Sequence, residues 1–307
     1  MGTWGSSLVV LVAALAAAPG CSTIGPGAGD DDDDVAQPDA APAGPDAAVP
    51  LGPFGEPRVI EALSDPGAND DDPTVTGDLL ELVFNSNRTG NSQLFVSRRE
   101  SVDQPWGDPD PIPELNTGDS ETAPELSTDG LAIYFSSNRP GGKGGQDIYI
   151  ARRDSRDAAW DPPELVPELN SGSGDYSPVE DDSGLVIYFY SNRDGGDQDL
   201  FVATRLSRDD PWRLTMRIDE LATDGNDADP FVTADGLALY FGTGPAGALD
   251  IHLARRLDRD AAFDPADPVA ELNSDAQDTD PWLSPAGRYV VFMSERTGDA
   301  EIYESDR

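Results

Sequence analysis

A pattern of about fifty residues occurs five times in the chain, and this repeat constrains the fold more than any other feature. Each copy contains a short apolar segment that ends in phenylalanine, at Phe84, Phe135, Phe189, Phe241 and Phe292. These residues are 51, 54, 52 and 51 positions apart, and a proline stands 11 residues before each one. Such a period is typical of proteins in which one supersecondary unit is repeated. The sequence therefore predicts five equivalent units.

Each copy carries the signals of four short β-strands. In the second copy a strand follows Pro124, a Thr-Asp-Gly turn leads into Leu131–Phe135, a Gly-rich loop leads into Asp147–Ala151, and a fourth strand lies near Glu164–Leu169. The turn residues suit hairpins. Four short strands cannot bury both faces of a sheet alone, whereas sheets packed around an axis can. We predict an all-β fold, a five-bladed β-propeller of four-stranded antiparallel blades.

The fourth-strand signal also predicts how the ring closes. An aromatic residue marks each fourth strand, and the five aromatics are Phe54, Trp106, Trp160, Trp212 and Phe263, which we interpret as packing anchors between blades. The unit that begins at Phe54 precedes the first complete copy, and the last copy stops after its third strand. We therefore expect the N-terminal strand around 58–63 to complete the last blade, so that the propeller comprises residues 54–307.

The composition of the first 53 residues predicts a targeting signal followed by a tether. Leu8–Ala18 is an apolar run of 11 residues, too short for a membrane helix and typical of a secretory signal in residues 1–20. Ala18-Pro19-Gly20-Cys21 resembles a bacterial lipoprotein cleavage box, which implies lipidation of Cys21; an ordinary secretory signal with an incidental cysteine is the alternative. Residues 21–53 are rich in Gly, Pro, Ala and Asp, a composition that predicts a disordered acidic tether.

Two sequence segments resemble a known repeat family. The copies S-S-N-R-P-G-G-K-G-G-Q-D-I-Y-I (136–150) and Y-S-N-R-D-G-G-D-Q-D-L-F-V (190–202) are similar to the WD-like propeller repeats of the TolB periplasmic family, as is the P-x-L-S-x-D-G segment at 124–130. The resemblance covers about residues 54–307. It implies a bacterial envelope lipoprotein that acts as a scaffold or binding module, and Ser22 after Cys21 suggests the outer membrane.

The charge of the chain restricts its partners. The formal net charge is −39, and Lys143 is the one lysine among 20 basic residues. Such a surface repels nucleic acid and anionic lipid headgroups, so we expect membrane contact through a lipid anchor only. It attracts cations and basic partners. We expect a monomer whose partner is an envelope protein, a glycan or peptidoglycan.

An acidic residue stands three positions before each repeat proline. These five residues are Asp70, Glu121, Asp175, Asp227 and Asp278, and Asp72, Asp229 and Asp280 add acids directly before three of the prolines. Since the strand after this loop is normally innermost in a propeller, the acids should meet at one mouth of the channel. Oxygen ligands suit Ca²⁺, which predicts an axial cation site. The alternative is that each acid caps its own turn.

Two further loop features bear on the site. Arginines recur in the Ser-Asn-Arg triplets that end at Arg88, Arg139 and Arg193, and we interpret them as ion-pair struts. The fourth copy lacks this triplet and has G-T-G-P-A-G-A at Gly242–Ala248 instead. A binding site needs asymmetry, so we expect it on that side of the ring.

The sequence favours binding over catalysis. The chain has one histidine and one cysteine, which leaves no Ser-His-Asp set and no zinc cluster. Carboxylates alone could serve a glycoside hydrolase, but that chemistry needs two acids in different environments, and the repeated acids look equivalent. We therefore predict a non-catalytic envelope scaffold, with a glycoside hydrolase-like enzyme as the alternative.

Overall fold

The computed structural model describes residues 51–307, with Leu214 described by its backbone only. The predicted signal, the lipidation site Cys21 and nearly all of the tether lie outside the described residues. Within residues 51–307 no helix has the length and hydrophobicity that a membrane span requires. The described chain consists of twenty β-strands in five sheets of four strands.

The strands repeat in one order from the axis outward. The innermost strands are β2 (Asp70–Val75), β6 (Glu121–Leu126), β10 (Asp175–Glu180), β14 (Asn226–Val232) and β18 (Asp278–Leu283). The second strands are β3 (Glu81–Ser86), β7 (Ala132–Ser137), β11 (Val186–Ser191), β15 (Ala238–Gly244) and β19 (Tyr289–Ser294). The third strands are β4 (Gln93–Arg98), β8 (Asp147–Arg152), β12 (Asp199–Thr204), β16 (Asp250–Arg255) and β20 (Glu301–Asp306). The outer strands are β1 (Arg58–Val59), β5 (Asp110–Pro111), β9 (Glu164–Leu165), β13 (Arg213–Arg217) and β17 (Asp267–Pro268).

These sheets are the five blades of a closed β-propeller. Each innermost strand contacts the innermost strand of the next blade, and β18 contacts β2, which closes the ring. Strands β2–β5 form blade one, and blades two to four follow in chain order. Blade five consists of β18, β19 and β20 with β1 at its edge. The predicted all-β, five-bladed fold is confirmed.

The N-terminal strand completes blade five, as predicted. Strand β1 pairs antiparallel with β20, with Arg58 opposite Glu304 and Val59 opposite Tyr303. Two backbone bonds extend the pairing, from Gly55 N to Asp306 O at 2.8 Å and from Ile60 N to Ile302 O at 2.8 Å. Residues at the two ends of the described chain thus share one sheet.

The core lies between neighbouring blades. The five repeat phenylalanines are at most 1% exposed. Each belongs to a different apolar cluster, and each cluster joins two adjacent sheets. Both faces of each blade are therefore buried, which explains why the second strands are apolar along nearly their whole length. The stacking of sheets, and not any single hairpin, stabilises this fold.

Arginines that the sequence analysis did not single out fix the outer part of each blade. Arg153 follows β8, stacks on Trp160 with its guanidinium carbon 4.1 Å from a ring centroid, and donates from Nε to Gly130 O. The same arrangement occurs at Arg99, Arg205, Arg256 and Arg307 with Trp106, Trp212, Phe263 and Phe54. The aromatics predicted as packing anchors are all buried. The signal of these arginines was present in the sequence, because an arginine directly follows each third strand at the repeat spacing.

Candidate functional site on the propeller axis

The five acids predicted from the repeat are buried inside the blades. Asp70, Glu121, Asp175, Asp227 and Asp278 are all 0% exposed. Four of them receive an arginine of the Ser-Asn-Arg or Ser-Glu-Arg triplet, and the distances include 2.5 Å for Arg88–Asp70 and 2.7 Å for Arg296–Asp278. The same Arg88 Nη2 donates to Leu63 O of the neighbouring blade. The predicted ion-pair struts are thus confirmed, and they fasten one blade to the next.

Blade four replaces its ion pair with threonines. Asp227 accepts hydrogen bonds from Thr243 Oγ1 at 2.5 Å and from the backbone N of Thr223 at 2.7 Å. Burial without an arginine raises the pKa of the Asp227 carboxyl. Each of the five predicted acids is therefore engaged near its own turn. A cation site formed by them stays a prediction, and the carboxylates that meet on the axis are other ones.

A β-bulge turns one residue of each innermost strand toward the axis. In blade one the register shifts by one residue between Asp71 and Thr74, and the other four blades shift at the matching place. The residue before each repeat proline has a positive φ: Asp72 (51°), Ala123 (49°), Ser177 (44°), Asp229 (52°) and Asp280 (53°). This left-handed conformation is unusual for residues other than glycine. All five residues line a central cavity of about 40 Å³.

The axial bulge residues differ from blade to blade. Three are aspartates and two are the small residues Ala123 and Ser177, so the carboxylates gather on one side of the ring. Ser177 donates to Asp229 Oδ1 at 3.0 Å, and Thr279 donates to Asp229 Oδ2 at 2.7 Å. Ala123 N donates to Asp72 Oδ2 at 3.2 Å. The axis is therefore an asymmetric acidic cluster, where the repeat had suggested an even ring.

Burial and mutual repulsion raise the pKa values of this cluster. Burial raises the pKa of Asp71 to about 6, and burial followed by the charges of neighbouring aspartates raises the pKa of both Asp72 and Asp280 well above the usual range. Burial also raises the pKa of Asp229. One oxygen each of Asp71, Asp72 and Asp280 lies within 4.8 Å of the others, a spacing at which three carboxylates could hold one hard cation. Shared protons or a cation must offset the repulsion.

A second ring of side chains, here called the girdle, lies one residue beyond the prolines. It consists of Glu125, Val179, Phe231 and Trp282, which line the axial cavity, and of Thr74 at the matching position of blade one. Its polar half joins two blades, because Thr74 Oγ1 donates to Glu125 Oε2 at 2.9 Å. Its apolar half is aromatic, with Phe231 and Trp282 in edge-to-face contact at 6.2 Å between ring centroids. The girdle is therefore polar in blades one and two and apolar in blades three to five.

Glu125 is a neutral acid at physiological pH. Burial raises its pKa to about 8, and the hydrogen bond from Thr74 offsets only part of that effect. A carboxylic acid in this state can donate a hydrogen bond or a proton. The sequence analysis missed Glu125, although the signal existed: among the residues that follow the five repeat prolines, it is the one acid.

Above the girdle the propeller opens into a recess of about 1080 Å³. Glu125, Val179, Phe231 and Trp282 line both this recess and the axial cavity, and the hairpin turns between first and second strands form its rim. Eight acidic residues and five arginines line the recess. Several are already paired, including Arg156 with Asp78 at 2.6 Å and Arg205 with Glu180 at 2.6 Å. The recess thus has a fixed rim and a floor that differs in every blade.

Comparisons with known proteins support the fold. No family model matches the chain, and no curated protein matches it. Among solved structures, TolB from Acinetobacter baumannii aligns with a TM-score of 0.52 and 17% identity. The alignment covers 80% of this chain and 56% of that protein. The endo-arabinase from Bacteroides thetaiotaomicron VPI-5482 aligns with a TM-score of 0.59 and 15% identity over 83% of this chain and 98% of the other. An α-L-arabinofuranosidase from Lactobacillus brevis aligns with a TM-score of 0.55 and 14% identity over 81% of this chain and 94% of the other.

These similarities correct one expectation. The prediction that the protein is not an enzyme is wrong as drawn, because the structures that share its fold include several glycoside hydrolases. The sequence argument assumed that the acids were equivalent. On the axis they are not, since Glu125 and the aspartates lie in different blades and environments. At these identities the comparisons establish the fold alone, a propeller that resembles the TolB structure and these hydrolases.

Proposed function

We propose that the protein binds a glycan chain in the recess, with the girdle as the floor of the site. The amphipathic girdle carries this proposal. A sugar ring has apolar C–H faces and hydroxyl edges, and the girdle sets Phe231 and Trp282 against Glu125, whose Oε2 accepts a hydrogen bond from Thr74. A volume of about 1080 Å³ accommodates several sugar units. A neutral Glu125 both donates to and accepts from hydroxyl groups.

The proposed location is the bacterial cell envelope, where a glycan such as peptidoglycan is at hand. This part rests on the secretory signal in Leu8–Ala18 and on the cleavage box before Cys21. Palmitate labelling of the wild-type chain, lost in Cys21→Ser, supports a lipid anchor. Secretion without labelling would leave an ordinary signal peptide and remove the anchor from the proposal.

A glycan panel that includes peptidoglycan fragments tests the binding proposal. We expect saturable binding to at least one member, weakened about tenfold or more in Trp282→Ala and in Glu125→Gln. Asp194→Asn, an exposed change in a loop that does not line the recess, is the control and should bind as the wild type does. Binding that survives both floor variants, or no binding to any member, contradicts the proposal.

Glycoside hydrolysis is a second candidate, and the protonation of Glu125 favours it. A glycosidase needs one protonated carboxyl to donate to the leaving oxygen and one ionised carboxylate to act on water or the anomeric carbon. Glu125, with a pKa of about 8, has the first property, and Asp71, with a pKa of about 6, has the second at neutral pH. Release of new reducing ends, abolished in Glu125→Gln and declining above pH 8, supports hydrolysis. Saturable binding without reducing ends limits the function to binding.

A further inference from the structure

One outer strand differs from the other four. Strand β13 of blade three has five residues, Arg213–Arg217, whereas each of the other outer strands has two. It lies at the edge of its sheet, paired on one side with β12. The longest outer strand thus leaves one side of its backbone without a partner in the described chain, and such an edge is a template for another strand.

The difference originates in the placement of proline. Three residues after the anchor aromatic the other blades have Pro57, Pro109, Pro163 and Ala266, and blade three has Thr215. Five residues after the aromatic, blades one and four have Pro111 and Pro268, where blade three has Arg217. Proline lacks the N–H group and is a common means of blocking an exposed strand edge. Blade three has no proline at either position.

The amide gained at Arg217 points outward. Ile218 N donates to Leu200 O at 2.9 Å, just as Ile112 N in blade one donates to Leu94 O at 3.0 Å. Blade one keeps this inward bond although Pro109 and Pro111 lack amide protons, so the inner ladder does not need those two N–H groups. Because successive residues of a strand alternate, the N–H group of Arg217 lies on the free side of β13, and Thr215 lies at a register shift where β13 has one residue more than β12.

A protective charge is missing as well. Four residues after the anchor aromatic the other blades have Arg58, Asp110, Glu164 and Asp267, whereas blade three has Met216. Met216 is 59% exposed. Charged residues on an edge strand oppose pairing with further strands, and an exposed methionine offers an apolar contact instead. At the middle of this edge blade three therefore lacks both proline and charge, and its two charged residues, Arg213 and Arg217, stand at the ends of the strand.

We propose that β13 binds an extended, basic segment of a partner protein, which adds a fifth strand to blade three. Charge selects the basic segment. The chain has a net charge of −39, and exposed acids flank the strand at Asp209 on one side and at Glu220 on the other. Arg217 is already neutralised by Asp199 at 3.3 Å and Asp219 at 2.7 Å. Lysines or arginines at the ends of the incoming strand would meet these acids.

A second copy of the chain fits this edge poorly. Symmetric antiparallel pairing about Thr215 would place Arg213 of one copy opposite Arg217 of the other, and directly opposed like charges destabilise a strand pair. Two copies of the chain, each with a net charge of −39, also repel one another electrostatically. The range of this repulsion depends on the ionic strength. The occupant is therefore a different, positively charged chain.

Fluorescence anisotropy with the purified full chain tests the proposal. The probe is a labelled peptide of alternating Thr and Val flanked by lysines, and the comparison peptide carries glutamates in place of the lysines. We expect the basic peptide to bind and the acidic one to bind at least about tenfold more weakly. Thr215→Pro, which restores the residue of three other blades, should weaken binding of the basic peptide about tenfold, the effect of losing one or two hydrogen bonds.

Ala266→Pro in blade four is the matched control, because it introduces proline at the same position of a blade whose edge is already blocked by Pro265 and Pro268. It should leave peptide binding unchanged. Met216→Glu restores the protective charge without touching the backbone and should also weaken binding, so a folding defect in Thr215→Pro does not decide the result. Equal loss in Ala266→Pro, full binding by Thr215→Pro and Met216→Glu, or a dimer that Thr215→Pro abolishes would each overturn the proposal.

Discussion

Two layers of this propeller use the same residue types for opposite purposes. The strut layer consists of the buried acids before the repeat prolines and the arginines that pair with them, and the axial layer consists of the bulge residues and the girdle. In the strut layer a buried acid receives an arginine in four of five blades, and the geometry barely changes from one blade to the next. On the axis, only two to four residues away along the same strands, the blades carry aspartate, alanine, serine or glutamate. Repetition stabilises the ring, whereas the departures from it give the axis a surface that is not repeated from blade to blade.

Breaking a strut should have the largest effect. Arg193→Ala leaves the fully buried Asp175 without its charged partner, and removal of one member of a buried pair costs about 3–5 kcal/mol. For a domain of this size that corresponds to a fall in Tm of roughly 6–20 °C. Thermal denaturation followed by circular dichroism measures it. Asp227→Asn in blade four is the control, since that acid has no arginine to lose, and we expect a change below about 1 kcal/mol. Equal changes in Tm for the two variants would contradict the distinction between blades whose buried acid is paired with arginine and the blade whose acid is bound by threonines.

Calcium tests which acidic layer binds a cation. If a site forms, Ca²⁺ at about 100 times its Kd should stabilise the fold by about 2.7 kcal/mol, seen as a rise in Tm. A rise that Asp72→Asn abolishes locates the ion on the axial cluster, whereas a rise that Asp175→Asn and Asp227→Asn abolish locates it at the acids predicted from the repeat. An unchanged Tm in the wild type rules out both sites.

The raised pKa values on the axis predict a pH effect of opposite sign to that of ordinary carboxylates. Because folding raises the pKa of Asp280, its contribution is most favourable below the unfolded value near 4 and is lost as the pH rises through the folded value. Asp280→Asn should therefore stabilise the protein at pH 8 and change its stability little at pH 4. Urea unfolding at the two pH values measures this. Destabilisation at pH 8 would mean that the ionised carboxylate is paired, as with a cation.

The smallest expected effect concerns backbone strain at the bulges. Ala123 adopts φ 49°, where alanine is disfavoured and glycine is not. Ala123→Gly should stabilise the fold by about 0.5–1 kcal/mol, after the entropy cost of glycine is set against the relief of strain. Ser284→Gly, at a position with ordinary φ on the same face, is the control and should destabilise. A loss of stability in both variants would show that the bulge carries no strain.

The sequence was sufficient to predict the architecture and insufficient to predict the axis. Strand order, blade number, closure by the segment at Phe54 and the buried phenylalanines all follow from a repeat that every blade satisfies. The acids on the axis do not, because a one-residue bulge decides whether Asp70 or Asp72 faces the channel, and the bulge residues share no side-chain type. The pKa of Glu125 depends on burial by blades far away in sequence. Within residues 51–307, the one side chain that hydrogen bonds to it is that of Thr74, 51 residues earlier.

The central claim is that the ligand binds on the axis and not at the repeated periphery. Hydrogen–deuterium exchange with and without a saturating glycan from the panel tests it most directly. We predict new protection in the segments that contain the girdle, residues 123–127, 229–233 and 280–284, and no change in the strut loops at 86–88, 137–139 and 191–193. Protection confined to the strut loops, or spread evenly over the five blades, would contradict the account.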